Sequence, residues 1–369
     1  MDGVIERRRR YLGLMRRLTL ERGSFTIGDI QGAAEVPRST AQDWVSRLLD
    51  EGCILLKDIA HGRQPARYLA ASAVPSSACR RIFTTLDRDV VEIYHECLSG
   101  ACAAFCGHHH RLAGGVVTAV ERDGVLLREL ARLGSAELEI GLFPLAAVGV
   151  VGVKHQGGFI IQHIRSIGGP AYSLTEMIAE AEGVCEVSVR NCGRVVEGTV
   201  KTRALVHLTL GVDDTDGREC GATFALAIAL LQYLSRMEGV FPIAHHVAML
   251  FPRVAQKTAG NSCSAIEVAV EPARVAQVIE RALLFVGDES QSVEWGVAVR
   301  EGIVVPPKLL AYGVQARREE LTISTAREIA LQYDVTLMGG RGVIGALAAV
   351  SLCGQSPGIL LDPDAVIET

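Results

Sequence analysis

The stretch LTLGVDDTDGRECGATFALA, residues 208–227, joins one apolar run to another through a loop that carries three aspartates in four positions. ALVHLTLGV, 204–212, has the β-branched and aliphatic character of an interior strand, and Asp213, Asp214 and Asp216 begin where it ends. Gly217 and Gly221 loosen the loop, and residues 222–233 continue as an apolar helix. A strand that runs into an acidic loop and then a helix puts hard oxygen ligands at the carboxyl edge of a sheet, where Mg²⁺ bridges carboxylates and nucleotide phosphates. Carboxylates this close repel one another unless a cation or strong hydrogen bonds compensate them. The same residues also fit a solvated turn whose aspartates cap the following helix, and spacing alone leaves both readings open.

Two later segments carry related chemistry. In FPRVAQKTAGNSCSAIEVAV, 251–270, Lys257 and Thr258 offer an ammonium and a hydroxyl, and Gly260 and Asn261 turn the backbone and donate hydrogen bonds. That set suits a phosphate, and it equally suits a surface loop before the strand 265–270. In LMGGRGVIGALAAV, 337–350, Gly340, Arg341 and Gly342 stand between a strand at 335–338 and a helix at 343–350, so backbone N–H groups can meet an anion at the helix start. Gly340 to Gly345 also fits GxGxxG with Asp362 downstream, but tight strand–helix packing explains that pattern without a dinucleotide.

GVDDTD followed by GxxCGAT, then the Lys257-Thr258-Ala-Gly260-Asn261 segment, then GRGVIGALAA, occur in the order found in the archaeal 2-agmatinylcytidine synthetases, which modify an isoleucine tRNA. Roughly the last two fifths of the chain resembles their DDTD kinase-like domain, with Ala259 where the family has arginine; it is also similar to the related methanogenesis marker protein 11. The resemblance implies an α/β kinase-like and ferredoxin-like domain over 203–369 that uses ATP and Mg²⁺. It implies that Asp213, Asp214 and Asp216 hold the metal on the triphosphate, that Lys257 and Arg341 offset phosphoryl charge, and that Thr215, Gly221, Thr258, Gly260, Asn261, Gly340 and Gly342 contact the nucleotide. The family's OB-fold and zinc ribbon, which hold the tRNA, are not expected in the few residues after Val350. The acceptor is therefore left open among RNA, protein and small molecules.

Residues 1–72 read as three helices and a hairpin. Val4, Leu12, Met15 and Leu18 give an amphipathic first helix, 24–36 a second with a turn, and 37–52 a third. On the third, Ala41, Trp44, Val45 and Leu48 share one face and leave Arg38, Ser39, Gln42 and Arg47 outside; two short strands then flank a turn that places Arg63 and Arg67 on a wing. This part resembles TrmB-type winged helix-turn-helix domains, which implies nucleic-acid binding, with protein–protein or homodimer contacts as the other use of such modules. Residues 1–70 hold 12 Lys and Arg against 9 Asp and Glu, whereas the remainder holds 25 against 33, so the basic end is the one suited to a polyanion. An alternative to an enzyme follows: a DNA-binding transcription regulator whose C-terminal domain senses nucleotide.

Between these parts, residues 75–200 read as an α+β region, with a capping box at 173–176. HECLSGACAAFCGHHH, 95–110, gathers Cys97, Cys102, Cys106 and His108, which as thiolates and imidazole suit Zn²⁺ or an iron–sulfur cluster. The alternative makes Cys102 and Cys106 small buried residues on a helix that stops at Gly107. His245 and His246 read as a buried or strand-end pair.

With 369 residues, 49% of them hydrophobic and 21% charged, the composition predicts a multidomain α+β chain and excludes a disordered one. Ten cysteines behind an arginine-rich start predict a reduced, cytoplasmic setting. No apolar run reaches the roughly 20 residues of a membrane span; the nearest, 140–153, is interrupted by Gly and Pro.

Overall fold

A computed structural model describes residues 2–367 apart from 63, 74–78, 168–177, 218, 256, 258 and 259. The chain is mixed α/β and divides into two compact units, Met1–Arg80 with Glu176–Ala181, and Arg81–Thr175 with Glu182–Thr369. Among the described residues no helix is long and apolar enough to cross a membrane.

In the first unit α1 (Asp2–Arg22), α2 (Ile27–Ala34) and α3 (Arg38–Asp50) precede an antiparallel pair, β1 (Ile54–Asp58) and β2 (Arg67–Ala70). Thr26 and Asp29 cap α2 reciprocally, each side chain accepting the other's backbone N–H. The buried stripe of α1 is Tyr11, Leu14, Met15 and Leu18, spaced i, i+3, i+4, i+7, while Val4, on the helix's outer turns, is 42% exposed. Ala41, Val45 and Leu48 of α3 close the core, and Arg38, Ser39, Gln42 and Arg47 are exposed. Arg67 is exposed and donates to Ser24 Oγ; Arg63 lies outside the described residues.

The remainder runs β3 (Cys79–Asp87), β4 (Val90–Cys97), α4 (Gly100–Ala113), β5 (Val117–Asp123), β6 (Leu126–Arg132), β7 (Gly134–Ser135), β8 (Val148–Gln156), β9 (Phe159–Ile167) and β10 (Val184–Cys192) into β11 (Val195–Asp213). The predicted capping box at 173–176 lies outside the described residues. After β11 come α5 (Thr223–Leu234), β12 (Val240–Met249), β13 (Ser262–Val270), α6 (Val275–Glu289), β14 (Gly296–Glu301), α7 (Pro307–Arg318), α8 (Ile323–Gln332), β15 (Thr336–Gly339), α9 (Val343–Ser351) and α10 (Pro357–Leu361).

β11 changes partners along its length. Val195–Arg203 pairs with β9 and Val195–Thr202 with β10, Ala204 and Leu205 pair in parallel with β3, and Val206–Asp213 lies between β13 and β14. Residues 75–200 and 203–369, separated on sequence, thus share one strand. From β11 to β14 the order of elements is β-α-β-β-α-β, and the strands lie β12-β13-β11-β14-β15 across the sheet.

Alternation along β11 decides what each face of this sheet carries. Leu208, Leu210 and Val212 pack with Leu230 and Leu234 of α5 and Val278 and Ala282 of α6. Thr209, Gly211 and Asp213 take the opposite face, where α9 sits. Every residue of α9 except Ile344 is buried, because Leu309 and Tyr312 of α7 and Ala326 and Ala330 of α8 cover its outer side. The contact with the sheet is backbone on backbone: a Cβ on Gly211 would lie 2.1 Å from Ala346 O, and one on Gly296 would lie 2.0 Å from Val343 N. Gly211→Ala is therefore expected to destabilise the protein by about 2–3 kcal/mol in denaturant titration. Gly32→Ala, in α2 with nothing within 4 Å of the new Cβ, should instead stabilise it by about 0.5–1 kcal/mol.

Candidate functional site

Where β11 ends, three segments far apart in sequence line one pocket: Asp213 and Asp214, Lys257 and Asn261, and Arg341 with Gly345. Asp213 is the last residue of the strand and faces α9. Its Oδ2 lies 1.6 Å from where a Cβ on Gly345 would stand, so the carboxylate occupies space that only glycine leaves. Asp213 is 8% exposed. Burial, with Asp214 beside it, pushes its carboxyl well above the usual range.

Asp214 leaves the strand at φ 51, a left-handed conformation that aspartate tolerates, and this turns its side chain to Arg341, whose Nη2 and Nε lie 3.2 and 3.3 Å from Oδ2. Burial raises the Asp214 pKa and Arg341 only partly offsets it. Asp216 is engaged elsewhere, its Oδ1 accepting from Thr223 Oγ1 at the start of α5. Thr215 is buried; its carbonyl accepts from Gln291 N, and its amide and hydroxyl reach Thr223 Oγ1. Gly221, at φ 83, turns the chain against Asp216. Two of the three aspartates thus enter the pocket, while the third, with Thr215 and Gly221, builds the loop.

Lys257 is exposed on a loop whose ends are clipped together: Leu250 N donates to Asn261 O at 2.8 Å and Asn261 Nδ2 to Phe251 O at 2.7 Å. The Lys257 ammonium donates to Pro252 O, and Gly260 is exposed; Thr258 lies outside the described residues. The N–H groups of Gly340, Arg341 and Gly342, expected from sequence to meet an anion, are spent within the protein. They donate to Trp295 O, Glu294 Oε2 and Glu294 O, which pins the start of α9 to the segment before β14. Only the Arg341 side chain reaches the pocket. Glu319 and Glu320, after α7, also line it and were not singled out from sequence, since nothing in a helix-end Glu-Glu pair says what it will face.

The cysteine and histidine run behaves differently from its metal-site expectation. Among the described residues, no three of Cys97, Cys102, Cys106 and His108 bring ligand atoms within metal-binding reach of one another. α4 presents Cys106 and His110, one turn apart, to the sheet, leaving Cys102 half-buried and His108 exposed. His110 pairs instead with the buried Glu129 at 2.7 Å. Neither Zn²⁺ nor an iron–sulfur cluster is supported there. His245 and His246 lie within β12, and His246 Nε2 is 2.5 Å from Glu267 Oε1.

No protein-family model matches the chain. It is 24% identical over 272 residues to an uncharacterised protein of Methanocaldococcus jannaschii, covering 72% of this chain and 89% of that one. Over 153 residues it is 30% identical to the isoleucine-tRNA 2-agmatinylcytidine synthetase TiaS of Thermococcus sibiricus, and over 150 residues 31% identical to that of Pyrococcus horikoshii. These matches cover 40% and 39% of this chain, and only 35% of each synthetase, about a third of its length. The crystal structure of TiaS with its isoleucine tRNA and ATP matches at 24% identity and a TM-score of 0.37, over 40% of this chain and 36% of that one.

An aspartate whose pKa is higher folded than unfolded keeps its proton longer in the folded state. Stability then falls as pH rises above the ordinary aspartate range of about 4, and the loss is complete once pH passes the raised folded value. Asp213→Asn should remove this slope and raise the Tm of the ligand-free protein at neutral pH; thermal melts from pH 5 to 8 on both proteins test it.

Proposed function

We propose that the pocket at the end of β11 binds ATP with Mg²⁺ and that the protein is an ATP-dependent ligase- or kinase-like enzyme acting on RNA. The observation that carries this reading is Asp213, a buried carboxylate without a cationic partner of its own among the described residues, next to Asp214 in a pocket also lined by Lys257 and Arg341. The donor set fits the ion: oxygen ligands from adjacent residues, further acid from Glu319 and Glu320, and too few cations to neutralise them. Asp213 and Asp214 would hold Mg²⁺, which when bound supplies charge neutralisation across the triphosphate. Asp216 and Thr215 brace the loop that aims them. Lys257, which lines the pocket, offsets phosphoryl charge. Arg341 holds the Asp214 carboxylate in place, and α9 with its covering helices excludes water from behind Asp213.

Similarity to the isoleucine-tRNA agmatinylcytidine synthetases supports ATP use and RNA as acceptor, with the exposed face of α3 as the nucleic-acid contact of the first unit. Arg38, Ser39 and Gln42 stand free of the core there, and Arg47 sits over Trp44 beside Glu51. That same face favours a second reading, a DNA-binding regulator in which nucleotide is sensed and not consumed. ATP hydrolysis or transfer accelerated by tRNA separates the enzyme from the regulator.

Asp214→Asn is expected to lower ATP turnover by about 100-fold or more, and unchanged turnover would remove the metal role. Arg38→Ala should leave RNA-independent turnover intact while weakening RNA binding and reducing the salt slope of the binding constant by about 1.

A further inference from the structure

A second cleft opens on the second unit, and its Arg300 reaches Thr209 on the same face of β11, four residues before Asp213 and about 13 Å along the strand. Arg128, Arg300, Glu92 and Glu267 line it, with Ile303 and Leu310 as an apolar wall. The two carboxylates are fully committed. Glu92 accepts from Arg128 Nε at 2.6 Å, Tyr94 Oη at 2.5 Å and His207 Nδ1 at 2.9 Å. Glu267 lies 3.2 Å from Arg128 Nη1, 2.8 Å from His207 Nε2 and 2.5 Å from His246 Nε2. Burial opposes both charged forms, but Arg128 and the histidines hold the Glu267 carboxyl well below its usual range, and the hydrogen bonds of Glu267 and Glu92 hold the His207 imidazolium above its own. Arg128 and His207 thus take up both Glu92 and Glu267.

Arg300 makes none of these contacts. It is 4% exposed, and among the described residues it makes no ion pair within 4.0 Å. Its Nη1 donates to Val304 O at 3.2 Å and its Nη2 reaches Thr209 Oγ1 at 3.5 Å, while Nε has no partner among the described residues. A guanidinium stays charged even when burial lowers its pKa, so the cleft holds a buried cation that Glu267, Asp87 and Glu92 reach only beyond ion-pair distance, and a donor without a partner among the described residues, against an apolar wall. A buried guanidinium with no carboxylate in contact is what an anionic ligand engages.

We propose that this cleft binds a small organic carboxylate, its oxygens on Arg300 and its apolar body against Ile303 and Leu310. A metal is the poorer fit: His246, Glu267 and Cys353 come within metal-binding reach of one another, but Arg128 and Arg300 line the same space and Glu267 is already contacted by Arg128, His207 and His246. A phosphate dianion is also the poorer fit, because Glu92 and Glu267 repel its second charge and Ile303 and Leu310 offer its further oxygens no donor. Glu121, exposed at the rim, is solvated.

Thermal melts of the full chain with acetate, isobutyrate or benzoate, and separately with inorganic phosphate, against chloride at matched ionic strength, test the assignment. At least one carboxylate should raise Tm by about 3 °C or more. Arg300→Met should lose that rise, melt no lower than the parent without ligand, and keep its response to ATP with Mg²⁺. Ala119→Trp, which fills the cleft's mouth from β5 and leaves Arg300 intact, should lose the rise too and carries the test if Arg300→Met does not fold. No rise with any carboxylate, a rise retained in either variant, or a rise with phosphate alone overturns the proposal.

Discussion

The close seating of α9 on the sheet is the constraint on which the rest depends. At Gly211 and Gly296 the backbone of the helix segment fills the space a Cβ would need, and at Gly345 the Asp213 carboxylate fills it. This closeness is what buries the Asp213 carboxylate, since the first turn of α9 stands where water would otherwise solvate it. The cost of burying that charge is carried by the surrounding packing, in the manner of a site strained for function. The same helix brings Arg341, one residue before Gly342, to Asp214. Sheet, helix and acidic pocket are thus one arrangement, and loosening the contact would change all three.

β11 extends that arrangement across the unit. Its second half carries the Asp213 pocket at the end and Thr209 further back on the same face, so both clefts are referenced to one rigid strand. A site built on a strand between two partners holds its geometry better than one built on loops. By contrast, Lys257 sits on a loop, where its ammonium donates to Pro252 O.

Much of this was legible in the sequence, for definite reasons. The run 204–212, the helix after it and the glycine-rich turn before 343 announce themselves by periodicity and composition, and the structure has β11, α5 and α9 there. Which aspartates share a pocket was not legible. Asp213, Asp214 and Asp216 carry the same charge within four positions, yet one faces α9 from the strand, one is swung to Arg341 by a left-handed backbone, and one is held by Thr223. Nor could the Cys/His run be read. The face α4 turns inward is set by its packing on β6, where a Cβ on Gly107 would already lie 2.9 Å from Leu127, and that makes His110 the buried histidine in place of His108. The network around Glu267 was invisible because Glu92, Arg128, His207 and Glu267 come from four strands, with Arg128 and Glu267 separated by 139 positions.

The proposed nucleotide site requires that adjacent carboxylates at the end of β11 share a divalent ion. A crystal grown with Mn²⁺ and a non-hydrolysable ATP analogue tests this through anomalous scattering. A peak is expected about 2.1–2.3 Å from oxygens of Asp213 and Asp214, with triphosphate density on its far side. A peak elsewhere, with Asp213 still closed against Gly345 and no ion beside it, would contradict it.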